Sequence, residues 1–558
     1  MSPKSTLPID VFPTWARFND VDFVNAKLQE MDGKGIGLAA VNSYDLTETA
    51  AAEDEGNAKD LRHGEAEALL RIPHDLILSA STVEDYAKVD QNFRQLMESV
   101  GHNSTRGNIL LYLLAHLVLS GRDASSPRGP ASTPWTEYLK FLPRDVPVPT
   151  MWSEVERALL QGTSLEAALE AKFSSLSKEF DDLTEKSSVL PFWNSLFWEK
   201  GMVTIQDWIL VDAWYRSRCL ELPRGGDAMV PGLDMANHSH HPTAYYDEDD
   251  KDDVVLLVRP GTKVSAGEEV SISYGEKTPA EMLFSYGFID SEFAVEGLSL
   301  PVKVLPDDPL GKAKLHIFGR SPSLKLSRSD GEINWQCPFA YLMCLNEEDG
   351  LEFKVLQGED GGRELRLLWQ EEDVTAQVGH FEDLIKNHTL CQIFRLRVVS
   401  VLHEVVSNHL VELSSEISHD QLEPLRLDGL VRDSRLQAAE QLRAIEAGVL
   451  ESAAVAMDKQ LISDRWKLLK TDKRREMKPM MRTILADRIT PCLISSATVE
   501  HYRFDCAGGI GNCLDYQALH TGARVSIDCP EYRTLGRMRK IVHSNEVLGS
   551  YRILKCFA

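Results

Sequence analysis

The chain has 558 residues, 43% of them hydrophobic and 26% charged, a composition typical of a folded protein long enough for more than one hydrophobic core. Its formal net charge of -25 argues against a surface that wraps nucleic acid, because binding to the phosphate backbone depends on Lys and Arg. Basic protein partners are favoured instead. The longest apolar run, residues 109–119, contains His116 and is too short for a membrane span, so it predicts a buried helix.

The cysteines indicate the compartment. All 9 are scattered without a CxxC pair, which is typical of free thiols in a reducing environment. The first residues, MSPKSTLPID, lack the apolar segment of a secretory signal. We therefore expect the protein in the cytoplasm, the nucleus or both.

The first predicted elements are a turn and two strands. Residues 33–40, GKGIGLAA, predict a glycine-rich turn, and residues 69–78, LLRIPHDLIL, predict a strand, a proline turn and a second strand. Helical spacing then dominates from about residue 79 to residue 215. Two capping boxes predict helix starts inside this region: Ser153 with Glu156, and Thr163 with Glu166.

Short strands are predicted between residues 229 and 288. Val254–Val258 is continuously apolar and is followed by a Pro-Gly turn. Val270, Ile272 and Tyr274 alternate with serines, which predicts a strand with Tyr274 on the face of Val270.

A short helix is predicted after these strands. Thr278 has the position of an N-cap, followed by Pro279 as the first helical residue and by Glu281 as the third. Gly287 is suited to end the helix in a left-handed conformation. Tyr286 is then expected in the last turn.

The second half of the chain is predicted to be mostly helical. Long helical patterns cover residues 381–417 and 436–469, and strand signals between 335 and 469 are confined to residues 351–369. These patterns indicate a second, helical domain. From about residue 503 no periodicity is clear, so no fold is assigned to the tail.

Five motifs, in order, carry a family resemblance. Residues 230–239, VPGLDMANHS, resemble the Asn-His-Ser signature of SET-domain methyltransferases. Four further motifs match the same family: Gly35-Ile36-Gly37-Leu38, Ser217-Arg218, residues 267–275 (GEEVSISYG) and Tyr286-Gly287-Phe288. Residues 135–143 and 149–162, and the lack of a cysteine-rich zinc module after Tyr274, resemble the Rubisco large-subunit methyltransferase (LSMT) subclass.

The resemblance implies an α+β fold. We expect a SET domain of short strands at residues 20–290, with a long helical insertion at about 79–215. A mostly α-helical substrate-binding domain of the Rubisco LSMT type is expected at residues 300–500. Residues 503–558 are expected to form a tail of unknown fold.

The resemblance also implies an activity. We expect methyl transfer from S-adenosyl-L-methionine to a lysine amine of a non-histone protein. A basic ribosomal or translation protein is favoured, as for fungal-type ribosomal protein lysine methyltransferases. Direct contact with nucleic acid or a membrane is not expected, and the oligomeric state is open.

Two alternatives remain. One branch of the subclass methylates histidine, although Tyr286 counts against it because the corresponding tyrosine is missing from that branch. The other is a protein-binding module that has kept the fold and lost catalysis.

The resemblance assigns roles to individual residues. Tyr274 is expected to be catalytic. The expected cofactor-binding residues are Lys34, Gly35, Ile36, Arg218, Asn237, His238 and Tyr274. The expected substrate-binding residues are Tyr245, Tyr286 and Asp234. No metal ligands are expected, because the acidic run at 247–253 lacks the glycine of a calcium loop and the late cysteines lack zinc spacing.

Physical needs explain these roles. Glycines at positions 35 and 37 would let the backbone approach the cofactor, and the Arg218 guanidinium would pair with a carboxylate, of which the cofactor's is the obvious candidate. A lysine of pKa ~10.4 must lose its proton before it can attack a methyl group. An aromatic channel that faces a sulfonium cation disfavours the charged ammonium.

Overall fold

The structure is a computed structural model. It describes residues 6–47, 68–100, 104–121, 129–199, 201–290, 297–329, 331–357, 363–414, 419–470, 513–517 and 524–528. The chain divides into two compact units, Met1–Asp472 and Lys473–Ala558. In the second unit only two paired strands are described, and the rest of the predicted tail lies outside the described residues. None of the described helices is both long and apolar enough to cross a membrane.

The helices account for most of the regular structure. In chain order they are α1 (Phe12–Phe18), α2 (Ala80–Val89), α3 (Gln91–Val100), α4 (Thr105–Ser120), α5 (Pro134–Tyr138), α6 (Glu154–Ala158), α7 (Leu165–Ser188), α8 (Pro191–Trp193), α9 (Ile205–Arg218), α10 (Pro279–Tyr286), α11 (Gly311–Phe318), α12 (Pro338–Met343), α13 (Phe381–Ile385), α14 (Cys391–Leu413), α15 (His419–Leu427) and α16 (Asp433–Lys470).

The strands are short. In chain order they are β1 (Ala26–Met31), β2 (Gly35–Ala40), β3 (Tyr44–Asp45), β4 (Ala68–Ile72), β5 (Leu78–Ser79), β6 (Cys219–Leu222), β7 (Gly226–Met229), β8 (Asn237–His238), β9 (Ala244–Glu248), β10 (Val254–Val258), β11 (Lys263–Val264), β12 (Glu269–Ile272), β13 (Gly297–Pro301), β14 (Ser323–Ser329), β15 (Glu332–Gln336), β16 (Leu351–Gln357), β17 (Arg363–Trp369), β18 (Glu372–Asp373), β19 (Cys513–Gln517) and β20 (Arg524–Asp528). Together with the helices they confirm the predicted α+β class.

One sheet carries several of the motifs behind the family resemblance, in the strand order β1-β2-β12-β8. Strands β1 and β2 form an antiparallel hairpin, and β12 pairs antiparallel with β2. Strand β8 pairs parallel with β12, with Asn237 opposite Ser271 and His238 opposite Ile272. Residues separated by more than 30 positions in the sequence therefore become neighbours across one pair of strands.

The first large core surrounds helix α4. Its residues 109–118 are all buried, which confirms the buried helix predicted from the apolar run. Two tryptophans of α9, Trp208 and Trp214, belong to the same core. The helices of the region 79–215 thus pack on the small sheets and hold α9 in place beside them.

A second core joins strands β13–β17 with helices α12–α14 and α16. The predicted helix at 381–417 is two helices, because the chain turns between Ile385 and Cys391 and Nδ1 of His388 accepts a hydrogen bond from the amide of Leu390. A smaller cluster includes Leu283 of α10 and Leu436 of α16. Helix α16 therefore packs against the helix that precedes Gly287.

Two local predictions need correction. The capping box at Ser153 is present, but α7 begins after Ser164, and the Glu166 carboxylate accepts a hydrogen bond from the amide of Gly162. Strand β12 ends at Ile272, and its serine at 271 is buried, because β12 lies between two other strands. Tyr274 follows the strand instead of belonging to it.

Candidate active site

Tyr274 links the two central motifs of the sequence. Its backbone amide donates to Nδ1 of His238 at 3.0 Å, and its hydroxyl donates to the Ala236 carbonyl at 2.7 Å. The centroids of the Tyr274 and His238 rings lie 5.2 Å apart. Burial raises the pKa of Tyr274 above its ordinary value, so the phenol is neutral at physiological pH.

An aromatic cavity of about 660 Å³ opens beside Tyr274. The Tyr286 ring lies 4.5 Å from the Tyr274 ring, and Tyr215 and Tyr246 also line the cavity. Burial raises the pKa of Tyr286 to about 12. Neutral aromatic rings whose faces can accept a cation therefore line part of the cavity, beside charged residues that include Arg218 and Asp234.

The position of Tyr286 depends on the end of helix α10. Thr278 caps this helix and forms a capping box with Glu281, as predicted. Gly287 ends it at φ 84°, also as predicted. A Cβ on Gly287 would lie 2.4 Å from the Pro147 carbonyl carbon, so only glycine fits this close approach.

The structure does not bring Tyr245 to the cavity. Neighbouring residues of a strand point to opposite faces, and Tyr245 lies opposite Leu257, where it packs with Ala68 and Val255 in a separate small cluster. Tyr246 lies opposite Leu256 and faces the cavity instead. The tyrosine that lines the cavity is therefore Tyr246, one position after the predicted Tyr245.

Arg218 and Asp234 form a buried ion pair at the cavity. Arg218 donates to the Asp234 carboxylate at 3.3 Å and to its carbonyl at 3.0 Å. The hydroxyl of Tyr138 and the amide of Gly232 donate to the other carboxylate oxygen. Burial raises the pKa of Asp234 despite the neighbouring guanidinium. The carboxylate that Arg218 meets is therefore one from its own chain, because a turn at Leu233–Met235 places Asp234 beside the end of α9.

The other predicted cofactor residues lie along the turn between β1 and β2 and on β8. Lys34 and Asn237 both bind the Glu269 carboxylate, at 2.7 and 2.8 Å. Gly35 has φ 77° and open space around it. A Cβ on Gly37 would lie 2.7 Å from Nδ2 of Asn237, so this glycine makes room for a side chain of the protein.

Ile36 packs within the fold. It is half-buried, lies opposite Glu30 in the hairpin and packs against the first core. Of the seven residues predicted to bind the cofactor, Arg218 and Tyr274 line the aromatic cavity. Tyr274 thus stands between that cavity and His238.

His238 has one buried nitrogen without a protein partner among the described residues. Burial, reinforced by His240, lowers the pKa of His238, so its imidazole is neutral at pH 7. Since Nδ1 accepts the Tyr274 amide, the ring proton must lie on Nε2. That N–H group is buried and unpaired within the described part of the chain, which suits it to an acceptor atom of a ligand.

This histidine and two neighbouring residues form a group of potential metal ligands. Atoms of His238, His240 and Asp290 lie within 4.8 Å of one another. Metal binding at Nε2 would require removal of its proton, and binding at Nδ1 would break the bond to Tyr274. The hydrogen bonding of His238 thus favours a donor role for Nε2, and the expected lack of metal ligands stays a prediction.

Sequence reasoning missed four residues of the site. Tyr215, Cys219 and Tyr246 line the cavity, and Glu269 joins Lys34 to Asn237. The sequence gives no signal that separates Tyr246 from Tyr245; in the structure Tyr246 shares the face of Ala244, which is fully buried in the first core. Burial also raises the pKa of the Cys219 thiol to about 12, so it is neutral.

Comparison with known proteins was made by sequence and by structure. No protein-family model matches the chain. It is similar to SET domain-containing protein 8 of Schizosaccharomyces pombe, 28% identical over 351 residues, which are 62% of this chain and 77% of that relative. The [fructose-bisphosphate aldolase]-lysine N-methyltransferase of Arabidopsis thaliana is 30% identical over 192 residues, 33% of this chain and 39% of that relative. The actin-histidine N-methyltransferase of Xenopus tropicalis is 25% identical over 256 residues, 44% of this chain and 42% of that relative.

The fold matches a solved structure along that structure's whole length. The SET domain of LSMT, solved with lysine and AdoHcy, superposes with a TM-score of 0.57 at 19% identity, covering 87% of this chain and 100% of that one. The chain therefore has the fold of the SET domain of LSMT. In sequence and in fold, the chain is similar to SET-domain methyltransferases of the Rubisco LSMT type.

Proposed function

We propose that this protein transfers a methyl group from S-adenosyl-L-methionine to the side-chain amine of a lysine in a non-histone protein. The observation that carries the proposal is the aromatic cavity, in which the Tyr274 and Tyr286 rings lie 4.5 Å apart. Neutral aromatic rings along a cavity suit an alkyl chain that ends in an amine. Tyr274 stands at the boundary of that space and next to His238.

Three of the residues predicted to bind the cofactor have groups or space available to a ligand. The buried Nε2–H of His238 and the Nε of Arg218 have no partner among the described residues, so both are available as donors. The left-handed Gly35 leaves its surroundings open to a ligand. When bound, S-adenosyl-L-methionine supplies a methyl group on a positively charged sulfonium.

The role of Tyr274 follows from its hydrogen bonds. Its hydroxyl proton is used by the Ala236 carbonyl, so the lone pairs of its oxygen are free to accept an N–H of the substrate amine. The phenol is neutral and held at both its amide and its hydroxyl. Tyr274 therefore orients the amine, and it does so without changing its own charge.

The walls favour the neutral amine. An ammonium in this cavity would lose hydration among the aromatic rings, and desolvation disfavours the charged form of a lysine. Proximity to a second cation adds repulsion. Both effects lower the pKa of the substrate amine, and this supplies the lone pair that methyl transfer requires.

Histidine is the second candidate substrate. The actin-histidine relative favours it, whereas Tyr286 supports lysine, because it occupies cavity space that an imidazole would need. Mass spectrometry of the methylated peptide decides between the two. Methylation on histidine would overturn the lysine proposal and leave the methyltransferase class intact.

The activity is tested by incorporation of labelled methyl groups into lysate proteins. Native protein is compared with Tyr274→Phe, which keeps the ring and loses the hydroxyl. We expect incorporation to fall about 100-fold, the scale typical of a misplaced reacting group. Equal incorporation by both proteins would reject the assigned role of Tyr274. Calorimetry with S-adenosyl-L-methionine tests the non-catalytic alternative, which a lack of binding would favour.

The substrate and domain roles are part of the same proposal. The net charge of -25 supports a basic partner, such as a ribosomal or translation protein in the cytoplasm or nucleus. The SET domain expected at 20–290 would perform the transfer, and the substrate-binding domain expected at 300–500 would hold the protein substrate. Methyl proteomics of cells that lack the protein would identify the target, and loss of methyl marks only from acidic proteins would contradict the charge argument.

A further inference from the structure

Arg216 lies two residues before the ion-paired Arg218 and contacts the helix that carries Tyr286. Its guanidinium donates to the backbone carbonyl of Phe284 and stacks over the Phe284 ring, 4.5 Å from the ring centroid. It also donates to the Thr150 hydroxyl at 2.7 Å. Only 11% of its side chain is exposed.

The contacted carbonyl belongs to the last turn of α10. Carbonyls in the last turn of a helix lack partners within the helix, and a cation there is favoured by the helix dipole. Phe284 precedes Tyr286 by two residues, so the guanidinium binds the turn that sets the direction of the Tyr286 side chain. The stacked ring restricts the turn a second time.

A buried carboxylate fixes Arg216 itself. Asp212, one helical turn earlier on α9, has a fully buried side chain and accepts from Arg216 at 3.3 Å. Arg106 and Lys172 bind the same carboxylate at 2.6 and 2.7 Å. Glu179 adds a second negative charge through Arg106. This group of five is defined here as the Asp212 cluster.

The charges of the Asp212 cluster show whether Asp212 needs Arg216 as a partner. Three cations surround two carboxylates, so the cluster has one positive charge more than its own neutrality requires. Removal of Arg216 would leave two cations for two carboxylates, with Asp212 still paired. The Arg216 side chain is therefore dispensable for neutralising Asp212, and within the described part of the chain its other polar and stacking contacts are with Thr150 and α10.

We propose that Arg216 is a positioning residue that fixes the last turn of α10, and thereby holds the Tyr286 ring against Tyr274, where the two rings together line the cavity for the substrate side chain. Its effect on turnover rests on the proposed methyl transfer. Its effect on the conformation of α10 does not depend on methyl transfer. The two can therefore be measured separately.

The first measurement is hydrogen exchange on the full chain. Arg216→Met removes the donors and keeps an apolar stem, and Arg216→Lys keeps the charge without the planar fork. We expect amides of residues 282–288 to exchange about tenfold faster in Arg216→Met, with partial recovery in Arg216→Lys. Exchange as slow as in the native protein would overturn the proposal.

A matched control separates this effect from general loss of stability. Arg397 also stacks on a phenylalanine, Phe394, and donates to a backbone carbonyl and an aspartate, but its Phe394 belongs to the second core. We expect Arg397→Met to leave exchange at residues 282–288 unchanged. Equal acceleration there in both variants would mean that Arg216 acts only through stability, and would reject its positioning role.

The second measurement is methyl transfer with the identified substrate. We expect Arg216→Met to lower kcat about tenfold, to leave the cofactor Kd unchanged, and to alter the distribution among mono-, di- and trimethyl products. Unchanged kcat and product distribution would contradict control of Tyr286. Absence of methyl transfer by the native protein would reject the proposed function, while the exchange result would still test Arg216.

A second variant covers the case in which Arg216→Met does not fold. Thr150→Val removes the hydroxyl acceptor and retains the size and branching of this buried side chain. We expect the same direction of change in exchange at residues 282–288, with a smaller magnitude. Native exchange in Thr150→Val and Arg216→Lys together would overturn the proposal.

Discussion

The backbone amide of Tyr274 donates a hydrogen bond to Nδ1 of His238 at 3.0 Å, although the two residues are 36 positions apart. They become neighbours because β8 and β12 pair in parallel and place His238 opposite Ile272. This bond fixes the start of the Tyr274 loop and determines which nitrogen of His238 carries the proton. One interaction thus orients both a residue of the cavity and a donor on the cofactor side.

Substitution of His238 tests this coupling. His238→Ala leaves the Tyr274 amide without an acceptor, which costs about 1–3 kcal/mol. We expect methyl transfer to fall by about tenfold or more. His238→Asn keeps a side-chain oxygen near the position of Nδ1 and should restore the orientation of Tyr274, while cofactor affinity stays reduced because Nε2 is gone. Equal kcat values for the two variants would contradict the coupling.

A pair of adjacent tyrosines tests the register of β9. Tyr246→Ala opens the cavity and should raise KM for the protein substrate, with a loss of about 1–2 kcal/mol of substrate binding. Tyr245→Ala is the matched control, because its side chain lies on the opposite face with Val255 and Leu257. It should lower the unfolding temperature and leave KM unchanged. The reverse pattern in steady-state kinetics would show that Tyr245 is the wall.

Two helix-ending glycines provide a test of close packing. Gly287 and Gly319 both end helices in the left-handed conformation, but a methyl group added to Gly287 would collide with Pro147, whereas one added to Gly319 would meet no described atom within 4 Å. Gly319→Ala should cost about 1 kcal/mol from backbone strain alone. Gly287→Ala should cost several times more and abolish methyl transfer, because the turn after Tyr286 must move. Thermal unfolding and an activity assay check both, and equal destabilisation would contradict the packing argument.

The buried His116 predicts a dependence of stability on pH. Burial lowers the pKa of His116 to about 3, against about 6.5 in an unfolded chain. Below pH 6.5 the unfolded state therefore binds a proton that the folded state does not. This contribution to stability is fully present above pH 6.5 and is lost as the pH falls toward 3, by about 1.4 kcal/mol per pH unit.

His116→Gln isolates this contribution. The variant will be less stable above pH 6.5, because the ring packs on Tyr112 and Nδ1 lies 2.8 Å from the Thr136 hydroxyl. Its unfolding midpoint should nevertheless fall less steeply between pH 6.5 and pH 4 than that of the native protein. Thermal unfolding at several pH values measures both slopes, and parallel slopes would show that His116 does not titrate on unfolding.

Elements with strong local signals were predicted well. The strand Val254–Val258 has the predicted bounds, because a continuous apolar run between turn residues has few alternatives. Helix α10 begins after Thr278 and ends at Gly287, since a capping box and a left-handed glycine act within a few residues. The buried α4 follows from an apolar surface on every side.

Predictions that depended on a partner elsewhere in the chain were less accurate. Arg218 was expected to pair with a ligand and pairs with Asp234, and Gly37 makes room for Asn237. The sequence contains no signal for these contacts, because they join segments that meet only after folding. The wall at Tyr246 depends on which face of β9 turns inward, and adjacent tyrosines give no preference.

The sequence by itself determined the residues that begin and end α10, because these depend on short-range patterns of capping and backbone conformation, and its motifs carried the family resemblance that implied the α+β class. Only the tertiary structure decided that Tyr274 is bound to His238, that Tyr246 and not Tyr245 faces the cavity, and that Arg216 holds the turn before Gly287. Each of these depends on a strand register or a long-range contact, and such relationships are set by the packing of the whole domain and not by neighbours in the chain.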